Sequence, residues 1–540
     1  MAGADRLSGL SDDLLASVIS FLPASEAVRT AALSRRWRLV WLRTDNLLLD
    51  SRFYSEYPWA TNDRLVSDAG EFLGAAGRCN HVRKLSLSVH GRDAKHLESV
   101  MGNTMWGARR DSYDLMASLL AAPPLRSYLE EVRVKLEVIK RGSEEEQVHR
   151  SVYRLDPVEL PGHTLRVLDL EYCRLESPPD GAGAAAVSFP LLSSLRLYNC
   201  SSSTKDLESW IHTAASLNSL HIQDHNFYCR SDDNRFNLHS PSLTTLTLVP
   251  GSRTRQRIEL DVPSLRAFKY NGEFQATMKS ETTELVRADL TVKQIYSNNG
   301  SPVQTWFAPF WKLLRNCRHA KAIKLKVPAI EGITVDKDMQ HEHLFTLPYL
   351  ERLELRGFSD PGRRDDAALA IANLLQCCLV IHDLRIQIPT DPYRTYYVDR
   401  SIKVRLSDFD VAMDVFSRRF SKEMVVPLVL DPDDYSSQVV VLPGLTGFRF
   451  PCLQNHLKSV MLQFESKKLN SFEVCLAKFL AENCMVLEVL QIDDGKQTFV
   501  SHLNWMVERW RANAPKQRTQ MECFLRGVWG RHECLHRLFL

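Results

Sequence analysis

The sequence predicts an α/β chain that opens with a short three-helix unit and continues as a stacked array of parallel strands. Three observations carry this: the apolar stretch "LSDDLLASVISFLPASEAVRTAALSRRWRLVW" at 10–41, a recurring L-x-x-L-x-L pattern in the middle, and a polar-turn, helix and strand block near the end. With 540 residues, 44% hydrophobic and 25% charged, the chain has apolar material for a large core or several smaller ones.

The opening unit comes first. Ser11 is placed to N-cap a helix, Asp12 and Asp13 complement its dipole, and Leu14, Leu15, Val18, Ile19 and Leu22 follow at helical spacing. Pro23 marks the stop. Ser25 is placed to cap a second helix carrying Val28, Ala31 and Ala32, and Ser34 a third carrying Trp37, Val40 and Trp41. A unit this small rarely stands without metal, disulfides or a partner, and no cysteine precedes Cys79. Its surplus apolar faces must therefore be buried elsewhere, either on the rest of the chain or on another protein.

The order "DRLSGLSDDLLASVISFLPASEAVRTAALSRRWRLVW" resembles the F-box in the version common in plants. Leu7, Leu10, Leu14, Leu15, Ile19, Leu22, Pro23, Val28, Leu33, Ser34, Trp37 and Trp41 fall at the family's pattern positions, and "ALSRRWR" at 32–38 is the most specific piece. One departure is Ser11, where the family usually has proline. The resemblance implies that these residues dock on the Skp-family adaptor, and through it on a cullin, in an SCF-type ubiquitin ligase.

The repeats come next. "LRVLDLEYC" begins at 165, "LSSLRLYNC" at 192, "LNSLHIQDH" at 217, "LTTLTLVPG" at 243 and "LRAFKYNGE" at 265, with starts 27, 25, 26 and 22 residues apart. This is the leucine-rich-repeat period. Two apolar residues two apart put both side chains on one face of a short strand, and the leucine three before closes the turn. One repeat cannot bury that face alone, so the pattern predicts a solenoid with parallel strands on the concave side and helices or turns on the convex side.

Weaker copies at "VRKLSLSV" (82), "LEEVRVKL" (129), "AKAIKLKV" (320), "LERLELRGF" (350) and "IHDLRIQI" (381) read either as further repeats or as ordinary strands. Cys173 and Cys200 sit where such repeats often use Asn or Cys to satisfy loop backbone groups. The segments at 141 and 177 read as loops, and 389–444 reads as a strand-bearing insertion.

The C-terminal block "LKSVMLQFESKKLNSFEVCLAKFLAENCMVLEVLQI", 457–492, reads as strand, turn, helix, strand, with Phe472, Leu476, Phe479 and Leu480 inward. It resembles the FBD domain in "LKSV", "AKFLAEN" and "LEVLQI", departing at Lys467 and Lys468 in the turn. The chain thus divides into an F-box over 1–50, an irregular leucine-rich-repeat solenoid over 51–440 with its clearest repeats at 165–275, an FBD-like block over 441–496, and a helical cap over 497–540 carrying Trp505 and Trp510.

Composition narrows the function classes. The 68 Lys+Arg against 65 Asp+Glu are too balanced for a nucleic-acid binder defined by global charge. No apolar run has the ~18 residues of a membrane helix, and the start of the chain lacks a signal-peptide pattern, so cytoplasm or nucleus is expected. The 12 cysteines lack zinc-knuckle spacing and read as reduced and buried. No phosphate loop, H-E-x-x-H or G-x-S-x-G occurs, and the trios in "HEHLF" (341–345) and "HECLH" (532–536) do not share one helix face. No cofactor, metal or catalytic residue is expected.

The expectation is a non-catalytic substrate receptor, in which the F-box binds the adaptor and the repeats hold a target protein for ubiquitination. Residues alternating with the core leucines are the candidate target contacts: Asp169, Glu171, Arg196, Tyr198, His221, Gln223, Thr247 and Lys269. The alternative is an F-box and leucine-rich-repeat interaction scaffold without ligase recruitment.

Overall fold

A computed structural model of the chain describes residues 9–53, 58–76, 82–91, 97, 100–101, 114–138, 153–177, 187–228, 235–251, 257–273, 276–292, 307–360, 362–388, 442–464, 472–493 and 522–525. It separates into two units, one of residues 1–264 with 275–280 and the other of 265–274 with 281–540.

The first unit opens with helices α1 (Asp12–Ile19), α2 (Ala24–Arg29) and α3 (Trp37–Val40), followed by α4 (Pro58–Ala76). The Leu14 N–H donates to the Ser11 hydroxyl at 3.4 Å, and the Trp37 N–H donates to the Ser34 hydroxyl at 3.5 Å. Ser25 does not cap the second helix. Pro23 holds the N-cap position instead, with no side-chain bond, because its fixed φ already suits entry into a helix.

The strands of this unit are β1 (Asn46–Asp50), β2 (Lys84–Gly91), β3 (Glu131–Val138), β4 (Tyr153–Leu155), β5 (Val167–Glu171), β6 (Cys173–Leu175), β7 (Ser194–Tyr198), β8 (Ser201–Ser202), β9 (Ser219–Phe227), β10 (Arg235–His239), β11 (Thr245–Pro250) and β12 (Arg257–Asp261). After β13 (Ala267–Gly272) of the other unit comes β14 (Ala276–Met278). A parallel ladder runs β1-β2-β3-β5-β7-β9-β11. The weaker copies at 82 and 129 are rungs of it. Leu165, Leu192, Leu217 and Leu243 are fully buried at the turns, and Leu168, Leu170, Leu195, Leu197, Leu220, Ile222, Leu246 and Leu248 line the core face.

One hydrogen-bond motif starts each rung. The carbonyl of the residue immediately before one strand accepts two consecutive N–H groups at the start of the next: Arg166 and Val167 donate to Glu130, Ser193 and Ser194 to Arg166, Asn218 and Ser219 to Ser193, Thr244 and Thr245 to Asn218. The outer layer differs from expectation. Between 153 and 278 it consists mainly of two further parallel ladders, β4-β6-β8-β9 and β10-β12-β14, with one helix of ten residues at Thr204–Thr213. Tyr172, Asn199 and Asp224 turn the corner between inner and outer ladders with φ of 55°, 49° and 52°. The register of these residues repeats with the rungs, so the corner is a property of the repeat.

The second unit repeats the ladder with β13, β15 (Arg287–Val292), β16 (Ala322–Ala329), β17 (Arg352–Phe358), β18 (Asp383–Ile388), β19 (Ser459–Phe464), β20 (Val489–Asp493) and β21 (Glu522–Leu525), again all parallel. β15 belongs to "LVRADL", where Ala288 stands in for the middle leucine and hides the repeat from a leucine count. The helix Arg364–Cys377 buries four alanines and two leucines, and its Asn373 is fully buried with both amide ends used, donating to Val335 O at 2.9 Å and accepting from Gln340 at 3.0 Å. In the C-terminal block Phe472, Leu476 and Leu480 are buried as expected, while Phe479 is half-buried with its ring edge to Phe450 at 5.9 Å. The loops at 141 and 178–186, the insertion up to 441, the turn at 465–471 and Trp505 and Trp510 lie outside the described residues.

The eight cysteines whose side chains are described are free and buried. Cys200 Sγ donates to Leu170 O at 3.3 Å and Cys173 Sγ to Glu171 O at 3.4 Å, which is the loop-satisfying role their position suggests.

Two predictions follow from packing. His225 is fully buried, with Ser202 Oγ 2.9 Å from its Nε2, and burial pushes its pKa down to about 3. The folded state binds a proton less readily than the unfolded state, whose value is near 6.5. The neutral form's stability is therefore complete above pH 6.5 and lost as pH falls toward 3, by about 2 kcal/mol between pH 7 and pH 5. Denaturant melts at those two pH values should show that excess loss in the wild type relative to His225→Gln. Gly444 is packed so closely that a Cβ would lie 2.5 Å from Asp365 O and 2.8 Å from Leu369 N, both backbone atoms of the buried helix. Gly444→Ala should cost about 1–3 kcal/mol in the same melts, and an unchanged midpoint would contradict the contact.

Candidate functional site

The opening helices have two apolar faces. On α1, Leu15, Ala16 and Ile19 turn inward, while Leu14, Val18 and Phe21, at i, i+4 and i+7, form an outward stripe; Leu14 is 55% and Phe21 80% exposed. Val28, Leu33 and Leu39 are also exposed. Six of the thirteen large apolar side chains exposed among the described residues thus fall between residues 14 and 39. Such a concentration of exposed apolar side chains marks an interaction site.

The inner face is held by the chain itself. Trp41 is buried with its ring 5.6 Å from Phe72 of α4, and Asn46 at the start of β1 donates from Nδ2 to Ser20 O at 2.7 Å, tying the end of α1 to the first rung. Arg36 bonds Asp12 at 2.7 Å and the carbonyl of Leu10, and Arg43 reaches Asp13 at 3.4 Å, closing α3 and its following turn onto the N-terminus of α1. These ion pairs are half-exposed and contribute little energy beyond fixing the angle.

The twelve residues assigned to docking by pattern therefore separate. Leu14, Val28, Leu33 and Ser34 are exposed, and Leu10, Leu22 and Trp37 are half-buried. Leu15, Ile19, Pro23 and Trp41 are turned into the chain's own core, which corrects their assignment as contacts. Leu7 lies outside the described residues. Val18, Phe21 and Leu39 are outward residues that pattern matching passed over. The signal for Phe21 was its position seven after Leu14, beyond the nominal end of the helix.

The candidate target contacts sit on the outward face of the ladder. Register aligns Asp169, Arg196, His221 and Thr247 in one row across β5, β7, β9 and β11, and Glu171, Tyr198 and Gln223 in the next. Lys269 is on β13 of the second unit. Burial pushes the Asp169 carboxyl up against the pull of Arg196 and Arg133. Burial also pushes Glu171 up to about 7, with Glu137 and Asp169 adding and Lys135 opposing. Among the described residues no group of three or more His, Cys, Asp or Glu could hold a metal ion, and no helix is long and apolar enough to cross a membrane.

Comparison with known proteins gives two family-model matches: an F-box domain over residues 7–48, and the leucine-rich repeats of the FBD-associated F-box protein At5g56370 over 135–289. An F-box/FBD/LRR-repeat protein of Arabidopsis thaliana, At5g22610, is 28% identical over 295 residues, covering 51% of this chain and 50% of that protein. At5g22700 of the same plant, also an F-box/FBD/LRR-repeat protein, is 42% identical over 84 residues, 15% of this chain and 18% of its own. An FBD-associated F-box protein, At5g22730, is 42% identical over 57 residues, 11% and 12% of the two chains. The chain spans half or less of the length of these curated relatives.

The two faces predict opposite mutational behaviour. Trp41→Ala should lower unfolding stability by about 3–5 kcal/mol, the usual loss for a buried tryptophan, whereas Phe21→Ser should leave it within about 0.5 kcal/mol. Urea melts of the two variants check this, and equal losses would mean that the outward face is not outward in solution.

Proposed function

As an F-box protein with leucine-rich repeats of the FBD-associated type, the chain joins a docking end to a ladder, and we propose that it is the substrate-recognition subunit of an SCF-type ubiquitin ligase. In this reading the outward stripe docks on a Skp-family adaptor, the adaptor connects to a cullin, and the outward rows of the ladder hold a target protein. In this reading the chain supplies no catalytic residues of its own. Its contribution to rate is proximity, because a target held beside the conjugating machinery reacts at a high effective concentration. The 441–496 block is the FBD-like part of the receptor, and the complex works in cytoplasm, nucleus or both.

The observation that carries the reading is the division of α1 into two faces. The inward face, with Trp41 and Asn46, fixes the helices to α4 and the first rung, while Leu14, Val18 and Phe21 remain exposed. A module that needed only its own chain for burial would leave no such stripe. A residue that anchors an interface carries about 2 kcal/mol or more, and on this stripe the large aromatic Phe21 is the best suited to that part.

Co-purification of the full chain with a Skp adaptor tests it. The wild type should retain the adaptor, and a Leu14→Asp plus Phe21→Asp variant, which alters only exposed positions, should lose at least about tenfold in affinity. A folded wild type that retains no adaptor would overturn the ligase reading and put the interaction scaffold in its place.

A further inference from the structure

We propose that the outward face of β16–β18 in the second unit captures an extended acidic peptide segment of the target protein. This rests on the substrate-receptor reading and names the class of substrate. The argument begins with charge. Along the outward positions, β16 carries Lys324 and Lys326, β17 carries Arg352, Glu354 and Arg356, and β18 carries Asp383 and Arg385, which is five cations against two carboxylates. The three central strands β3, β5 and β7 of the first unit carry Arg133, Lys135 and Arg196 against Glu131, Glu137, Asp169 and Glu171, three against four. Two ladders built on one core pattern thus present opposite outward charge.

Four of these five cations are also recessed, Lys326 and Arg385 buried and Lys324 and Arg356 half-buried, while Arg352 is exposed. Lys326 is 6% and Arg385 7% exposed, whereas Arg133 and Lys135 of the first unit stand open to solvent. Each carboxylate is shared between two cations. Glu354 takes Arg356 at 2.6 Å and Lys324 at 3.3 Å, and Asp383 takes Arg385 at 2.9 Å and Arg352 at 3.1 Å. Register then sets Lys326 directly against Arg356, a like-charge pairing that weakens a sheet. Burial pulls the Lys324 ammonium below its ordinary value and Arg356 and Lys326 pull it further, while Glu354 is held low by Arg356 and Lys324 although burial pushes it up. Both shifts describe a recessed field that favours an incoming anion, and low dielectric strengthens it.

A peptide fits better than a free anion because Lys326, Arg356 and Arg385 are spread over three adjacent strands, two strand spacings or roughly 10 Å, farther than one small anion reaches. An extended chain covers that span in about three residues. The acidic side chains would lie on Lys326, Arg356 and Arg385 while the backbone crosses the strands.

The test uses the whole chain and four fluorescein-labelled probes in anisotropy titrations: the octapeptide (Glu-Ser)4, the neutral (Gln-Ser)4, the basic (Lys-Ser)4 and a twelve-nucleotide oligouridylate. The acidic peptide should bind at least tenfold more tightly than the neutral one and weaken as salt is raised. A Lys326→Gln plus Arg356→Gln variant should lose at least tenfold, and Arg133→Gln plus Lys135→Gln should be unchanged. Equal binding of the acidic and neutral peptides, preference for the oligonucleotide, or full retention by the Lys326 and Arg356 variant would overturn the proposal. Should that variant fail to fold, the wild type still decides it, because (Lys-Ser)4 must then bind more weakly than (Gln-Ser)4. Adaptor capture is scored separately: absent acidic-peptide binding with adaptor capture intact overturns this inference alone, and the reverse overturns the ligase reading alone.

Discussion

The structure depends on one constraint: a single L-x-x-L-x-L rung has an apolar face it cannot bury and backbone groups it cannot pair. Each buried leucine contributes about 1.5–3 kcal/mol only when the neighbouring rung covers it. The carbonyl that receives two N–H groups at the start of each rung, as Arg166 does from Ser193 and Ser194, sets the spacing at which that cover is achieved. Stability is therefore a nearest-neighbour property, and the chain must solve separately the problem of its first rung.

That solution explains the form of the opening helices. β1 pairs with β2 on one side, and the α1 to α4 helices pack at the beginning of the ladder, with Asn46 bonded to Ser20 and Trp41 against Phe72. The opening helices thus cap the ladder. Their inner half belongs to the core of the first unit, which fixes the direction of their outer half relative to the rungs that follow.

Much of this was legible in the residues. Leucine spacing located the rungs from 165 to 270 and the weaker copies on either side, because a two-residue alternation after a fixed turn leaves few other structures open. It failed at β15, where Ala288 replaces the middle leucine, and on the outer layer, where β4, β6, β8, β10, β12 and β14 lack a leucine signature because their burial is set by the neighbouring ladder. Within the F-box the motif positions were legible but their directions were not. Leu14 and Leu15 are adjacent and equally apolar, and only the placement of α4 and β1 decides that Leu15 faces the core. Family pattern records both kinds of position alike, since a residue needed for folding and one needed for docking are equally restricted.

The alternation that hides direction in the helices makes it explicit in the strands, and this has a functional consequence. Inward positions are committed to stacking, so Leu353, Leu355, Leu384 and Ile386 cannot change without opening a cavity. The positions between them, Arg352, Glu354, Arg356, Asp383 and Arg385, are released from that demand and can carry whatever charge recognition requires. Such residues can be recessed and ion-paired at once, as Arg356 is with Glu354 and Arg385 with Asp383, even where like charges such as Lys326 and Arg356 face each other across a rung. A repeat protein can therefore keep one scaffold while its outward rows diverge, and the opposite charge balance of β3-β5-β7 and β16–β18 is that divergence within a single chain.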